Sequence, residues 1–302
     1  MDALFCGYTI HKRKGGRKME EKVLSLAGLE AFRRCLVREE RSANTVEKYL
    51  RDARAFYRFL GEDKRVDKER VIAYKQHLAE HYKTVSANSM LAAVNRLLLF
   101  LDWRECQVRL LRVQKRNFRE TEKELTKSEY QRLLAAATSS RNERLWLLMQ
   151  AICGTGIRVS EHRFITVEAV RQGRAQVRNK GRERVVFFPA PLKKLLLDYC
   201  RRQGVGSGPV FVTRSGCPMD RSNIWAEMKR LCESAGVDSG KVFPHNLRHL
   251  FAVTYYQLEK DIVRLADVLG HASVETTRIY TATSGLEQKR LISRLGLVGC
   301  GG

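Results

Sequence analysis

A chain of 302 residues has room for one large or two medium domains, each with its own core. Lysine and arginine number 56 against 33 aspartates and glutamates, so the net charge of +23 makes a polyanion the natural partner, nucleic acid first. No apolar run approaches a membrane span, and the eight cysteines form no CxxC pair. Nothing therefore reads as a membrane-spanning helix, and reduced thiols fit better than a disulfide framework.

Residues 1–18 read as a basic, disordered tail. HKRKGGRK follows the short apolar stretch rather than preceding it, the reverse of a signal peptide, and Met19 is an alternative start. Helical periodicity then dominates residues 19–103. Leu24, Leu26, Leu29, Phe32 and Leu36 predict a first helix. A second follows in RSANTVEKYLRDARAFYRFL, with Asn44 as N-cap, Glu47 three residues on, and Tyr49, Ala53, Phe56, Phe59 and Leu60 along one face. A related tetrad, Ser86-Ala87-Asn88-Ser89, opens MLAAVNRLLLFLDW. Both polar starts are either ordinary caps or places where backbone N–H groups meet phosphates. Residues 104–123 carry seven Lys/Arg against three Glu and lose the apolar period. They read as a charged connector, either crossing a phosphate backbone or serving as a solvated tether.

The second domain, 124–302, opens on the capping box Thr126–Glu129, and helices are expected through Ala137 and over 143–152. The latter runs into Gly154-Thr-Gly-Ile-Arg158-Val-Ser-Glu161. Strands over 174–178 and 184–188 flank a hairpin turn at Asn179-Lys180-Gly181. Pro191 fits the first position of another helix, and PVFVTRSGCPM suggests a further short strand and turn. Helices are expected over 222–235, 247–258 and 262–269. The predicted class is mainly α with a small antiparallel β-sheet, α+β overall.

Chemistry concentrates in HNLRHLFAVTYYQLEKDIVRLADVLGHASVETTRIY, residues 245–280. Arg158, freed to approach a ligand by the glycines before it, and Arg248, on one helical face with His245, can bind both non-bridging oxygens of a phosphodiester. Together they can stabilise a pentacoordinate transition state. Tyr280 is the candidate nucleophile. A phenol of pKa about 10 needs a base or a cationic field, which His245 and the arginines supply, with His271 hydrogen-bonded to the phosphate. Lys180 at the hairpin tip can protonate a departing 5′ oxygen. Taken singly, each of these is an ordinary surface or half-buried residue; their joint placement carries the reading. His245 and His249 also have the spacing of a helical zinc site, but Asn246 stands where such a site needs a carboxylate base and no third ligand is evident. There is no P-loop and no dinucleotide fingerprint, so neither ATP nor NAD is implied.

Three blocks, GTGIRVSE, VRNKGRERVVFFP and PHNLRHLFA…LADVLGHASVETTRIY, resemble the tyrosine recombinases, the phage-integrase and Xer-like family. The resemblance spans about residues 126–281, and residues 42–60 are similar to the family's SAM-like core-binding domain. It implies that Arg158 and Arg248 activate the phosphate, and that Lys180, His245 and His271 complete the site around the nucleophile Tyr280, with Glu161 in support. His162 and Asn179 depart from the Leu and Gly common in the family, which bears on local packing and hairpin shape. Candidate DNA contacts are Thr45, Lys48, Ser89 and Arg96 in the helical half and Arg182 beside the hairpin turn.

The implied reaction leaves a 3′-phosphotyrosyl bond and a free 5′-hydroxyl, is reversed by another strand's 5′-hydroxyl, and needs no metal or nucleotide cofactor. The implied assembly is a C-shaped clamp on double-stranded DNA, and a homotetramer joins two inverted-repeat sites through a Holliday junction. An accessory directionality factor is a possible partner, no membrane is involved, and the setting is the bacterial cytoplasm. In the family a tail helix such as 287–297, with Leu291, Ile292 and Leu295 in a stripe, docks into a neighbouring protomer; packing on its own domain is the alternative. The run 255–281 favours a mobile-element integrase over a Xer-like chromosome or plasmid dimer resolvase. Rivals of other classes are a type IB topoisomerase and a catalytically silent DNA-binding relative.

Overall fold

The computed structural model describes residues 21–113, 121–179, 181–213, 215–281, 289 and 293–295. The chain divides into two compact units, residues 1–115 and 116–302. Among the described residues no helix is long and apolar enough to cross a membrane.

The first unit is helical: α1 (Leu26–Arg38), α2 (Ala43–Phe59), α3 (Lys68–His81) and α4 (Thr84–Phe100). Leu29, Phe32 and Leu36 of α1 are buried as the period requires, and Leu24 joins them from the chain just before the helix, whereas Leu26 is exposed. They meet Val46, Leu50, Ala53 and Phe56 of α2 and Leu91, Val94, Leu97 and Leu98 of α4. Each large aliphatic or aromatic side chain taken fully out of water contributes about 1.5–3 kcal/mol to this core.

Three expectations for this unit need correction. The cap of α2 is Ser42, whose Oγ accepts from the Thr45 N–H at 3.3 Å, so Asn44 lies inside the helix. The tetrad 86–89 does not open α4 either. The helix starts at Thr84, and Asn88 turns its amide to the Leu111 backbone, donating to the carbonyl at 2.9 Å and accepting from the N–H at 2.7 Å. Asn95 does the same for Val108, at 2.8 and 3.0 Å. These two amides satisfy the backbone of an otherwise irregular strip and bury Cys106 and Val108, so 104–113 is part of the helical unit rather than a solvated tether.

The second unit begins with the 3₁₀ turn Thr121–Lys123, then α5 (Lys127–Ser139) and α6 (Glu143–Thr155). The Thr126–Glu129 capping box forms in both directions. Helix α6 is buried on nearly every face and stops at Gly156, whose φ of 65° only glycine adopts without strain. A 3₁₀ turn, Val159–Phe164, and α7 (Val167–Gln172) lead to β1 (Arg174–Asn179), which pairs antiparallel with β2 (Arg182–Phe187). Next come α8 (Ala190–Gln203), α9 (Arg221–Arg230), α10 (Cys232–Ala235), α11 (Pro244–Glu259), α12 (Ile262–Leu269) and α13 (Val274–Thr277).

Pro191 is the second residue of α8, behind Ala190. The helix expected over 222–235 is two, with Leu231 between them. The stretch 209–219 forms isolated bridges, Thr166 to Pro209 and Val212 to Pro218, in place of a strand. Two prolines without N–H groups stop a ladder from growing there. The expected mainly-α class with a small antiparallel sheet is what the described residues form. The basic tail and most of the tail helix over 287–297, Leu291 and Ile292 included, lie outside them.

Candidate active site

Helix α11 positions three of the residues in question. Its first turn presents His245 to solvent, while Arg248, one turn on, is buried and donates to the carbonyls of Gly156 and Leu269, the latter at 2.7 Å. These carbonyls belong to the left-handed ends of α6 and α12, where helix termination leaves acceptors without helical partners. Burial, and then the nearby Arg158 and Arg184, lower the Arg248 pKa to about 10, so it remains a cation at neutral pH. No carboxylate pairs with its guanidinium within salt-bridge range among the described residues.

Arg158 follows the Gly156 turn. Its own N–H and its Nη1 both donate to Glu161, each at 2.9 Å, and its Nη2 donates to the Gly270 carbonyl at 3.1 Å. Glu161 is only 1 % exposed and is held again by Arg184 of β2 at 2.9 and 2.7 Å. Burial works to raise the carboxyl's pKa, but the Arg184 hydrogen bonds, the Arg158 N–H, the Arg184 charge and the Arg158 side-chain hydrogen bond bring it down to about 2.

His271 sits just beyond Gly270, the left-handed cap of α12. Its Nε2 lies 3.2 Å from Arg248 Nη2, and its Nδ1 lies 2.9 Å from the Oγ1 of the fully buried Thr277. A guanidinium only donates, so Nε2 is the acceptor, and the ring proton resides on Nδ1 and goes to Thr277. Burial, then Arg248, Arg158, Arg184 and His245, push this imidazole down to about 4. Packing around His245, and then Arg248, His249, Arg221 and Arg158, lower its pKa too. Both rings are therefore neutral at pH 7, and His245 is available as a proton acceptor.

Tyr280 closes a 3₁₀ turn, Arg278–Tyr280, that continues α13. It is 2 % exposed, its ring 4.9 Å from His249 edge-on and 6.0 Å from His271 in a stack. Burial raises its pKa, while the charge and hydrogen bond of Arg248 and the charge of Arg158 oppose that rise. His249, weighed above as a metal ligand, instead packs on Tyr280 and lies 3.0 Å from the Glu124 carboxylate. Among the described residues no group of three His, Cys, Asp or Glu is placed to hold a metal ion.

The second unit thus brings Arg158, Glu161, His245, Arg248, His271 and Tyr280 together from five separate elements. Lys180 lies outside the described residues. His162 is buried, its Nδ1 on the Val159 carbonyl, its Nε2 without a partner among the described residues and its ring 6.5 Å from that of Phe211. Of the candidate DNA contacts, Arg182 is exposed on the hairpin. Lys48 and Ser89 share a cleft with Arg51 and Arg58 in the first unit, the Lys48 ammonium bonding Asp52 at 2.7 Å and the Ser89 carbonyl at 3.2 Å. Thr45 is engaged in the Ser42 cap, and Arg96 is paired with Glu39.

Sequence reasoning passed over Arg184 and Thr277. Arg184 carried a signal, since strand alternation puts it on the face of the buried Val186 and Phe188, where a charge needs a partner. Also unforeseen is a cleft of about 800 Å³ beside Arg158, His245 and Arg248. It is lined further by Arg221, Lys229 and a half-exposed Trp225, whose ring lies 5.4 Å from the Lys229 ammonium. Its walls are cationic and partly aromatic, suited to a polyanion.

Residues 123–286 match the phage integrase family, and residues 29–105 match the SAM-like N-terminal domain of phage integrases. The chain is 30 % identical over 292 residues to tyrosine recombinase XerA of Pyrococcus furiosus, covering 93 % of this chain and 98 % of that one. Its fold is similar to a lambda integrase dimer bound to a COC′ core site, with a TM-score of 0.69 at 19 % identity over 86 % of this chain and 95 % of that one. It is similar also to a lambda integrase tetramer bound to a Holliday junction, with a TM-score of 0.66 at 19 % identity over 82 % and 77 % of the two chains.

Proposed function

Since this chain belongs to the phage integrase family, tyrosine recombinases that cleave and rejoin DNA, we propose that it is a site-specific recombinase whose nucleophile is Tyr280. The observation that carries this reading is the convergence of two cationic arginines, two neutral imidazoles and one tyrosine. Arg248 touches His271 and acts on Tyr280.

Arg158 and Arg248 bind the non-bridging oxygens of the scissile phosphate and stabilise the added charge of the pentacoordinate state. His245 takes the phenolic proton as Tyr280 oxygen attacks phosphorus. The bond to the 5′ oxygen breaks, and Lys180 supplies the proton that makes it a hydroxyl. As DNA binds, the phosphate's negative charge offsets the cations that now depress His271, whose Nε2 takes a proton from solvent and donates it in a hydrogen bond to a non-bridging oxygen. Attack by a 5′-hydroxyl of a second strand reverses each transfer, so the phosphodiester's bond energy is conserved without a nucleotide.

Exchange by pairs of strands requires four protomers on two sites, and likeness of fold to the tetramer on a Holliday junction supports that assembly. We assign the chain to the integrase of a mobile element, on the sequence of 255–281. Kinship with a recombinase named XerA favours a second reading, resolution of chromosome or plasmid dimers.

The test uses an inverted repeat selected from random duplexes by the protein and rebuilt as a nicked suicide substrate. The wild-type chain should form a covalent complex resistant to denaturation. Tyr280→Phe should bind the same duplex within about threefold and trap none. Covalent complex with the Phe variant, or none with wild type, removes the assignment.

A further inference from the structure

Arg184 has no role in the reaction just described, yet it is tied to the surroundings of two residues that have one, Arg158 and His271. Its side chain is 11 % exposed. Its Nη1 and Nη2 occupy both oxygens of Glu161, at 2.9 and 2.7 Å, and its Nε donates to the Val268 carbonyl at 3.2 Å. Its stem lies so close to Gly270 that a Cβ there would fall 2.7 Å from Arg184 Cδ. Gly270 in turn receives Arg158 through its carbonyl and precedes His271. One side chain of β2 therefore fastens together the hairpin, the acidic residue behind Arg158 and the turn that carries a histidine of the site.

The consequence for Arg158 follows from competition. A carboxylate facing a single guanidinium takes it in a two-pronged pair, which would neutralise the group meant for phosphate. Here Arg184 already holds both Glu161 oxygens, and Arg158 Nη1 reaches only the shared Oε1. Arg158 thus keeps N–H groups for a ligand, and one carboxylate among three guanidiniums leaves the site cationic. A pair kept only for stability could be replaced by apolar side chains at little cost; an apolar residue at 184 would instead release Glu161 to draw Arg158 back.

We propose that Arg184 is a positioning residue of the cleavage step: it occupies Glu161 so that Arg158 faces the phosphate, and it pins the hairpin to the Gly270–His271 turn. This rests on the reading of the site as a phosphodiester-cleaving centre.

The experiment compares wild type, Arg184→Met, Arg184→Lys and Arg184→Met/Glu161→Gln on the same nicked suicide duplex. Covalent-complex rates are measured from pH 5 to 9, and DNA binding by fluorescence anisotropy. Arg184→Met should bind DNA within about threefold of wild type but form covalent complex about 100-fold more slowly, the loss expected when a reacting group is misplaced by about 1 Å. Its deficit relative to wild type should shrink as the pH falls, because Glu161 loses the partner that keeps it ionised and, once protonated, releases Arg158 as glutamine does. Arg184→Lys should recover part of the rate. The double variant should react faster than Arg184→Met, since glutamine cannot recapture Arg158 as a charge.

A rate for Arg184→Met within threefold of wild type overturns the proposal, as does a uniform loss at every pH with no recovery in the double variant. If Arg184→Met does not fold, Arg184→Lys decides: a tenfold slower rate at unchanged affinity supports the proposal, and an unchanged rate refutes it. Absence of covalent complex with wild type marks failure of the functional reading itself, a different outcome from normal cleavage by the Arg184 variants.

Discussion

Replacing Gly156 with alanine adds one methyl group and should both destabilise the second unit and impair cleavage. The residue has φ 65° and ψ 18°, a conformation that costs a residue with a Cβ about 1–2 kcal/mol. The new Cβ would lie 2.4 and 2.5 Å from Phe251 Cδ1 and Cε1 and 3.2 Å from Leu269 Cδ2. Carbon atoms pack at about 3.5–4.0 Å, so the half-buried ring must retreat by about 1 Å from its present packing, at about 1–3 kcal/mol. The sum is about 2–5 kcal/mol. In a unit of this size each kcal/mol lowers Tm by about 2–4 °C, which predicts a fall of about 4–20 °C by calorimetry.

The same displacement reaches the chemistry, because Phe251 shares α11 with Arg248, and Arg248 donates to the carbonyls of Gly156 and Leu269. Covalent-complex formation should therefore drop by about 100-fold at saturating DNA. Made in a Phe251→Ala background, the same substitution meets no ring and should cost only the backbone part, about 1–2 kcal/mol. A Gly156→Ala protein melting within 2 °C of wild type would refute the reasoning, and an equal cost in both backgrounds would refute the contact half of it.

Two further outcomes follow from the histidine environment. Thr277→Val removes the acceptor of His271 Nδ1, leaving a donor unmade at about 1 kcal/mol or more and the ring free to turn; the suicide-substrate rate should fall about tenfold, and Thr277→Ser should restore it. In the DNA-free protein His271 has a pKa of about 4 against an ordinary 6.5, so the fold favours the neutral ring. That contribution is complete above pH 6.5 and is lost as pH falls towards 4. His245 and His162, lowered in the same direction, add to it. Tm measured from pH 7.5 to 4 should decline less steeply in His271→Gln, and an unchanged slope would contradict the burial argument.

Much of the site was legible because its residues are set by local rules. Gly156 must end α6 and Gly270 must end α12, so the turns bearing Arg158 and His271 are written in the helix-stop signals. His245 and Arg248 share a helical face by spacing alone. What stayed hidden depends on contacts distant in the chain. No periodicity says that Asn88 and Asn95 will spend their amides on the backbone of 108–111, which turns an apparent connector into part of a domain. Nor does it say that Arg184 will meet Glu161, or that Thr277 will hold His271. Ser42 displaced Asn44 as a cap because either residue type can serve, and only backbone geometry selects.

The acceptors that hold Arg158 and Arg248 include the Leu269 and Gly270 carbonyls, made long after the arginine at position 158. At about 5–20 residues per second, a ribosome needs roughly 6 to 25 seconds to go from residue 158 to residue 280. For that interval the nascent polypeptide has its full helical unit and most of its positive charge but neither the anchored guanidiniums nor the phenol. Order of synthesis thus separates the appearance of the basic helical unit from completion of the proposed cleavage site. A chain ending between these points lacks Tyr280 and should form no covalent complex with DNA.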